Sequence, residues 1–288
     1  MTVFNLGSIN VDYFYSVPHM IAPGETLSST AMTKGLGGKG ANQSVAAARA
    51  GSNVVHIGAI GPDSDWICDT LRGYGVDTTH IAVTDAATGH AVIMVEPEHG
   101  ENAILLHAGA NHVQSATAIA DALAAGGAGD YLLLQNETTD QVAAAKAAHA
   151  RGMNVVYSAA PFDAEAVKQV LPYLSYLLLN RVEYDQLCAA LGEVSVPNLI
   201  ITLGGDGARW QMADGTTITQ PAFHVTPVDT TGAGDCFAGS LIAALDAGQD
   251  PQSALEFAAA AAALQVTKHG TADAMPTGDQ TRAFLKDR

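Results

Sequence analysis

The tetrapeptide GAGD combines a flexible anion-binding backbone with a carboxylate, and it occurs twice, at residues 127–130 and 232–235. The first copy follows an Ala-rich helical pattern and precedes an apolar run, which predicts a helix-to-strand turn. The second copy follows a segment rich in Val and Thr and precedes apolar residues at helical spacing, which predicts a strand-to-helix turn. Only a helix N-terminus presents unpaired N–H groups and the positive end of the helix dipole. The second copy is therefore predicted to bind an anion.

The chemistry that this second copy favours is phosphoryl transfer. The amides of Gly232, Ala233 and Gly234 could stabilise charge on a transferring phosphoryl group, and Asp235 could accept a proton from an attacking hydroxyl. The alternative role for Asp235 is capping of the helix, which Asp does well. The P-loop pattern G-x-x-x-x-G-K-[ST] does not occur in the sequence.

A second glycine cluster, GLGGKG at residues 35–40, allows two interpretations. It matches G-x-G-x-x-G, which would indicate a dinucleotide site and an NAD-dependent oxidoreductase, but the preceding TLSSTAMT is polar and does not predict the buried strand that such a site needs. The second interpretation is a loop at which a ligand approaches the main chain of Gly38, while Lys39 and Asn42 donate to hydroxyls or to negative charge.

Polar side chains also follow several of the predicted strands. Asn10 and Asp12 follow the first strand, Glu137 follows YLLLQ, and Asn180 follows YLLL. Each of these residues taken alone is more often a cap or a turn residue. Because the carboxyl ends of parallel strands meet at one edge of a sheet, we expect the four side chains to converge on one site.

Short apolar strands alternate with helical patterns over most of the chain. The predicted strands are residues 3–6, 53–59, 131–134, 154–157, 176–179 and 199–203, and the predicted helices are residues 41–50, 65–74, 141–150 and 181–191. This alternation predicts an α/β fold with a central, mostly parallel sheet flanked by helices. Residues 12–35 and 88–108 alternate instead and predict a small projecting antiparallel β-sheet that acts as a lid. No repeat or linker is evident, so residues 1–288 are predicted to be a single domain.

Composition narrows the class of partner. With 13 basic and 29 acidic residues, the net charge of −16 disfavours nucleic acid or an anionic membrane and favours a small molecule. The three scattered cysteines suit a reducing cytoplasm. No secretory leader is recognisable, and the Ala-rich ALEFAAAAAALQV is predicted to be a core helix.

The segments GGKGANQSVAAARAG and DTTGAGDCFAGSLIAAL resemble the two signature segments of the PfkB, or ribokinase-like, carbohydrate kinase family. GSINVD, HAGAN, NRVE and LGGDG resemble further family segments in the family's order. The resemblance implies the ribokinase-like fold and ATP-dependent phosphorylation of a sugar hydroxyl, with D-ribose, phosphorylated at its 5-hydroxyl, as the first choice. Fructose, 2-keto-3-deoxygluconate or a nucleoside as acceptor, and a non-catalytic sugar-binding protein, are the alternatives. A nucleoside would need aromatic stacking, and residues 88–111 contain no Phe, Trp or Tyr.

The resemblance also implies roles for residues at matching positions. The sugar hydroxyls would be held by Asn10, Asp12, Gly38, Lys39, Asn42 and Glu137. Asp235 would contact the acceptor hydroxyl and serve as the base that activates it, and the amides of residues 231–234 would form the anion hole.

For the nucleotide, the residues that the resemblance implies are Thr202, Gly204 and Gly207. Asn180 and Glu183, in the N-x-x-E pattern, would organise Mg²⁺ through water, together with the phosphates. Asp229 and the carbonyl of Thr231 would belong to a monovalent-cation site, with K⁺ as the implied ion. The lid would form the contact of a homodimer.

Three departures from the family pattern bear on these expectations. SAAP at residues 158–161 replaces the Asn-Pro-Ala-Pro of the ribose-phosphorylating members, beside the expected substrate edge. Ala274 lies where those members commonly carry a Ser near the cation, which leaves potassium activation open. The connection at residues 191–199 is short, because family members usually fit another helix there, and nucleotide affinity could change as a result.

Overall fold

The computed structural model describes residues 1–96, 98 and 101–287. The strands of these residues are β1 (Thr2–Leu6), β2 (Asn10–Ser16), β3 (Ala31–Gly37), β4 (Asn53–Ile60), β5 (Val76–Val83), β6 (Gly89–Glu96), β7 (Glu101–His107), β8 (Tyr131–Gln135), β9 (Asn154–Ser158), β10 (Tyr176–Asn180), β11 (Asn198–Thr202), β12 (Ala208–Met212) and β13 (Thr217–Gln220). The helices are α1 (Lys39–Ala50), α2 (Asp65–Gly73), α3 (Ala116–Leu123), α4 (Gln141–Ala150), α5 (Ala164–Val170), α6 (Arg181–Leu191), α7 (Ala233–Asp246), α8 (Pro251–Gln265) and α9 (Gly278–Lys286). The predicted strands and helices are confirmed.

The main sheet has nine strands in the order β13-β12-β11-β10-β9-β8-β1-β4-β5, and all its pairs are parallel except the two made by β12. Helices cover both faces. The core of strand β8 is apolar because both of its faces are buried: Leu133 packs on the side of α1, α7 and α8, whereas Leu132 and Leu134 pack on the side of α3 to α6. A strand covered by helices on both faces is typical of a mostly parallel sheet, so the α/β prediction is confirmed.

A second sheet is formed by four strands in the order β3-β2-β6-β7. The pairs β2–β3 and β6–β7 are antiparallel, as predicted, but β2 and β6 pair in parallel. The prediction of a purely antiparallel ribbon is therefore wrong at the centre of this small sheet. Alternation specifies which face of a strand is buried and does not specify its partner's direction. Residues 97, 99 and 100 of the predicted segment 88–108 lie outside the described residues.

The two GAGD copies occupy different structural positions. In the first, Asp130 accepts hydrogen bonds from the N–H groups of Thr2 (2.8 Å) and Gly127 (3.0 Å), and the copy connects α3 to β8 as predicted. The second begins α7, but residues 221–232 before it form no strand, so the predicted strand-to-helix turn is wrong in its first half. Pro221 and Pro227 lack the N–H that a strand ladder requires.

The Ala-rich segment that was predicted to be a core helix belongs to α8, whose apolar side chains lie in the core, as predicted. Within the residues that the structure describes, none of the helices has the length and apolar character required to cross a membrane. The connection from α6 to β11 spans residues 192–197 and contains no additional helix.

Candidate active site

The N-terminus of α7 presents free backbone donors. Gly232 precedes the helix with φ of 79°, a left-handed conformation that glycine adopts at little cost. The N–H of Ala233 donates to Thr230 O (3.2 Å) and that of Cys236 donates to Gly232 O (2.8 Å). The N–H groups of Gly232, Gly234 and Asp235 have no acceptor among the described residues. Three free donors at the positive end of a 14-residue helix form a site for an anion.

Asp235 is held by another helix and does not cap its own. Its Oδ2 accepts a hydrogen bond from Asn42 Nδ2 (3.0 Å) and its Oδ1 accepts one from Gln43 Nε2 (2.9 Å), both from α1. No side-chain cap is present at the start of α7, so the capping alternative for Asp235 is wrong. Burial raises the pKa of Asp235 to about 6, against the opposing effects of Lys39 and the two amides. The carboxylate is fixed in direction and is a stronger base than an ordinary Asp.

Gln43 is a site residue that the sequence reasoning missed. Its Oε1 accepts a hydrogen bond from Gln135 Nε2 (2.8 Å), which also donates to Asn5 Oδ1 (2.9 Å). All three side chains are fully buried. Because its oxygen is held by Gln135, the NH₂ group of Gln43 must face Asp235. Gln43 directly follows Asn42 in the sequence, but nothing in the pattern indicated that this polar residue is buried.

Lys39 and Glu137 form an ion pair that interacts electrostatically with Asp235. Lys39 Nζ lies 2.9 Å from Glu137 Oε1, and Glu137 Oε2 accepts hydrogen bonds from Ser8 Oγ and from the N–H of Lys39. Burial lowers the pKa of Lys39, but the charges of Glu137 and Asp235 oppose this effect, and the net change is upward. Lys39 therefore keeps its charge at neutral pH.

Asp12 is the third carboxylate of the cluster. Burial raises its pKa to about 6, Glu137 adds to the rise, and Lys39 opposes it. Asp12 lies on β2, on the face of the small sheet that also presents Ile93, Ile104 and Leu106 to the cavity described below. The cavity thus has a polar floor and a partly apolar roof.

Two asparagines offer acceptors to a hydroxylated ligand. Asn10 Oδ1 accepts a hydrogen bond from Asn111 Nδ2 (2.8 Å), and Asn111 is itself held by the N–H of Ile9 (2.9 Å). Asn42 Oδ1 is buried and has no hydrogen-bond partner. Since an unpaired buried acceptor is costly, this oxygen is suited to a ligand hydroxyl.

Two cavities meet at the GAGD loop. The first, of about 370 Å³, is lined by Asn10, Asp12, Gly38, Lys39, Asn42, Glu137, Ser158, Ala160, Asn180, Glu183 and residues 230–235. The second, of about 380 Å³, is lined by Thr202, Gly204 and Gly207 and by apolar side chains. Thr202, Thr230, Ala233, Gly234 and Phe237 line both. Every predicted site residue except Asp229 therefore lines one of two adjoining cavities.

The apolar wall of the second cavity was also missed by the sequence reasoning. Its lining includes Phe223 and Val225 from the irregular segment and Ala259, Ala262 and Ala263 from α8. Alanines on a helix leave room for a flat ligand against the backbone. The available signal was the Ala-rich run itself, which the sequence analysis assigned to the core.

Asn180 and Glu183 form a reciprocal cap at the start of α6. Asn180 Oδ1 accepts from the N–H of Glu183 (2.9 Å), and Glu183 Oε2 accepts from the N–H of Asn180 (2.7 Å). The other oxygen of Glu183 has no hydrogen bond to the described residues, and burial raises the pKa of this side chain. Among the described residues, no three His, Cys, Asp or Glu side chains are grouped as a metal site. These residues fit a Mg²⁺ ion that keeps its waters and is held mainly by phosphates.

The groups expected to hold a monovalent cation already have protein partners. Asp229 Oδ1 accepts from the N–H of Thr231 (2.9 Å), and Asp229 Oδ2 accepts from that of Gly270 (3.1 Å). The carbonyl of Thr231 accepts from Gln265 Nε2 (2.8 Å). Ala274 supplies no side-chain oxygen. The residues present do not fit a monovalent cation.

The family model of the pfkB family carbohydrate kinases matches residues 2–278. The chain belongs to the pfkB family of carbohydrate kinases. It is 35% identical to a ribokinase of Haemophilus influenzae over 306 residues, which cover 99% of this chain and 98% of that relative.

Two solved structures extend the comparison. A ribokinase of Cryptococcus neoformans in complex with ADP matches with a TM-score of 0.87 at 33% identity, covering 98% of this chain and 99% of that one. An Arabidopsis thaliana ribokinase complexed with ribose and ATP matches with a TM-score of 0.86 at 27% identity, covering 99% of this chain and 98% of that one.

This kinase is an ATP-dependent carbohydrate kinase. The dinucleotide interpretation of GLGGKG is wrong, because its glycines lie in β3 of the small sheet and in the turn into α1. A dinucleotide fingerprint requires a buried parallel strand before the glycines.

Replacing the carboxylate of Asp235 should separate binding from turnover. We expect Asp235→Asn to lower kcat by about 10²-fold or more, because the general base is lost, while sugar binding measured by titration calorimetry stays near the wild-type value. Asp130→Asn, in the other GAGD copy, is the matched control and should retain wild-type kcat. Near-wild-type turnover in Asp235→Asn would remove Asp235 from the proposed chemistry.

The pH dependence should report the carboxylate cluster. Because the raised pKa values of Asp235 and Asp12 lie at about 6, kcat/KM for the sugar should fall as the pH drops below that value. Lys39 lowers both pKa values, so Lys39→Met should move the acidic limb to higher pH. Lys34→Met, which removes an exposed lysine of the small sheet, should leave the limb in place. An unmoved limb in Lys39→Met would contradict the assignment.

Proposed function

We propose that this kinase transfers the γ-phosphoryl group of ATP to the 5-hydroxyl of D-ribose, giving ribose 5-phosphate and ADP. The observation that carries the proposal is the position of the GAGD loop, which lies between a polar cavity and an apolar one. A sugar in the first cavity and a nucleotide in the second would meet at Asp235 and at the free amides of α7.

The polar cavity has the chemistry of a sugar site. The carboxylates of Asp12 and Glu137 accept hydrogen bonds from hydroxyls, Lys39 donates, and the unpaired Oδ1 of Asn42 provides a further acceptor. The relatives named above are ribokinases, one of them with ribose and ATP bound. Ribose is therefore the favoured acceptor.

The reaction follows from this placement. Asp235 takes the proton of the 5-hydroxyl while the hydroxyl oxygen forms a bond to the γ-phosphorus of ATP. The bond from that phosphorus to the β–γ bridging oxygen breaks at the same time, and ADP is released. The N–H groups of Gly232 and Gly234 stabilise the negative charge of the transferring group. Asn180 and Glu183 would hold Mg²⁺ through water, together with the nucleotide phosphates, and the ion would neutralise phosphate charge. Potassium has no role in the proposed reaction, because Asp229 and the Thr231 carbonyl already accept hydrogen bonds from protein donors.

The small sheet serves as a lid on one kinase domain that spans the chain. Ile93, Ile104 and Leu106 face the sugar cavity from this sheet, and apolar side chains above a sugar would exclude water that competes with the acceptor hydroxyl. Two of the alternatives, a nucleoside kinase and a non-catalytic protein, are less consistent with the site. A nucleoside acceptor lacks aromatic partners in residues 88–111, and a non-catalytic protein would not need Asp235 and the free amides together.

The lid is also the proposed dimer contact. Leu105 of β7 is 70% exposed, on the face of the small sheet opposite the cavity. Sedimentation velocity should show a dimer, and Leu105→Lys should shift it toward monomer because a charge would enter the contact. Val83→Lys, at an exposed aliphatic residue of β5, is the control and should remain dimeric. A monomeric wild-type protein at micromolar concentration would contradict the proposal.

The cytoplasm is the proposed location. Cys68, Cys188 and Cys236 are all free thiols, as is usual for proteins in a reducing compartment.

Acceptor identity is tested by ADP release in a coupled assay with ATP and magnesium. Ribose, 2-deoxyribose, fructose, 2-keto-3-deoxygluconate and nucleosides are compared at equal concentration, and ribose should give the highest kcat/KM. A higher value for any other acceptor would replace ribose in the proposal. Absence of turnover with every acceptor, combined with a thermal shift on adding ribose, would favour the sugar-binding alternative.

A further inference from the structure

Gln265 joins the two loops that support the anion hole. It is the last residue of α8 and is fully buried. Its Nε2 donates to the carbonyl of Thr231 at 2.8 Å and to the carbonyl of Gly270 at 3.1 Å. A primary amide has two N–H bonds, so both donors of Gln265 are used on these two carbonyls.

The same two loops are linked by Asp229. Its carboxylate accepts from the N–H of Thr231 and from that of Gly270, at 2.9 and 3.1 Å. At each of these two residues the peptide N–H therefore contacts the carboxylate and the carbonyl contacts the amide. The segment that precedes α7 is held in one conformation by charges and dipoles of the protein itself.

The contact with Thr231 sets the direction of an anion-hole donor. A trans peptide is planar, and its C=O and N–H point in opposite directions. Since the carbonyl of Thr231 points to Gln265, the N–H of Gly232 in the same peptide points away from it. Gly232 lines the sugar cavity beside Asp235. Gln265 is thus a positioning residue that acts on the transferring phosphoryl group through the Thr231–Gly232 peptide.

Carbonyl groups that converge in this way are also the groups that hold a monovalent cation, because they replace its hydration shell. In this kinase the carbonyls of Thr231 and Gly270 face the positive end of an amide dipole instead. We propose that the side-chain amide of Gln265 takes the place of a monovalent cation beside the anion hole, so that turnover does not require potassium. The inference rests on the kinase function proposed above.

The oxygen of the Gln265 side-chain amide distinguishes an arrangement without a cation from an arrangement with one. Gln265 Oε1 is buried and has no hydrogen-bond partner. Turning the amide over would place this oxygen against the two carbonyl oxygens, which repel it unless a cation lies between them. Without an ion the observed orientation is favoured, and with an ion the reverse orientation would be favoured. Potassium dependence therefore distinguishes the two arrangements.

The test measures ribose phosphorylation with ATP and magnesium in buffers in which choline replaces potassium. Wild-type kcat should change by less than about twofold on adding potassium. Gln265→Glu keeps the shape but replaces the donor by oxygen, so we expect kcat to fall by about 10²-fold without potassium, the effect of losing one anion-hole donor, and to recover when potassium is added. Gln252→Glu, exposed on the same helix, is the matched control and should behave as wild type.

Gln265→Ala is the second variant, in case the Glu variant does not fold, which thermal melting shows. It should lose turnover in choline and regain part of it with potassium or ammonium ions. Loss of turnover in folded variants with no response to these ions would reduce Gln265 to a packing residue and overturn the proposal. Strong potassium activation of the wild-type kinase would overturn it as well.

These outcomes are separate from failure of the proposed function. A wild-type protein that is inactive with every acceptor in every salt would contradict the kinase proposal. In that event, crystals of the wild-type protein soaked with a rubidium salt still decide the question by anomalous scattering. A rubidium peak between the carbonyls of Thr231 and Gly270 would overturn the inference, and its absence at full soaking would support it.

Discussion

The contact between the first turns of α1 and α7 is the interaction on which the site depends. Asn42 and Gln43 of α1 fix both oxygens of Asp235 on α7. The helices can approach because α7 carries Gly239 at the crossing, where a Cβ would lie 2.4 Å from the carbonyl oxygen of Gln43. A larger residue there would separate the base from the amides that orient it. The packing of two helices thus determines the direction of the carboxylate that is proposed to act as the base.

Around this contact, the burial and mutual repulsion of three carboxylates are opposed by the positive charge of one lysine. Asp12, Glu137 and Asp235 are concentrated in one cavity with a single lysine, in a chain of net charge −16. Burial raises the pKa values of Asp12 and Asp235, and Lys39 limits the rise. Such a cluster costs stability when it is ionised, and clusters of this kind are typical of functional sites. The free amides of α7 supply, at the same place, the positive potential that phosphate needs.

Much of the fold could be predicted from the sequence, because apolar runs such as YLLL and helical periodicities are local signals. The position of Asp235 and Lys39 in one cavity could be predicted because glycine motifs mark where the backbone approaches a ligand. The parallel pairing of β2 and β6 could not be predicted, since the alternation of residues within a strand does not specify which strand pairs with it or in which direction. The buried positions of Gln43 and Gln265 could not be predicted from the sequence either. A buried glutamine looks like a surface one until its partners, Gln135 for the first and Thr231 for the second, are brought to it by the fold.

The central claim is that sugar and nucleotide meet at the start of α7, and a crystal structure with ribose and a non-hydrolysable ATP analogue tests it most directly. The account predicts the 5-hydroxyl of ribose within about 2.6–3.2 Å of an Asp235 oxygen, with the terminal phosphate on the N–H groups of Gly232 and Gly234. A terminal phosphate bound away from these amides, or a sugar whose hydroxyls do not approach Asp235, would contradict the account.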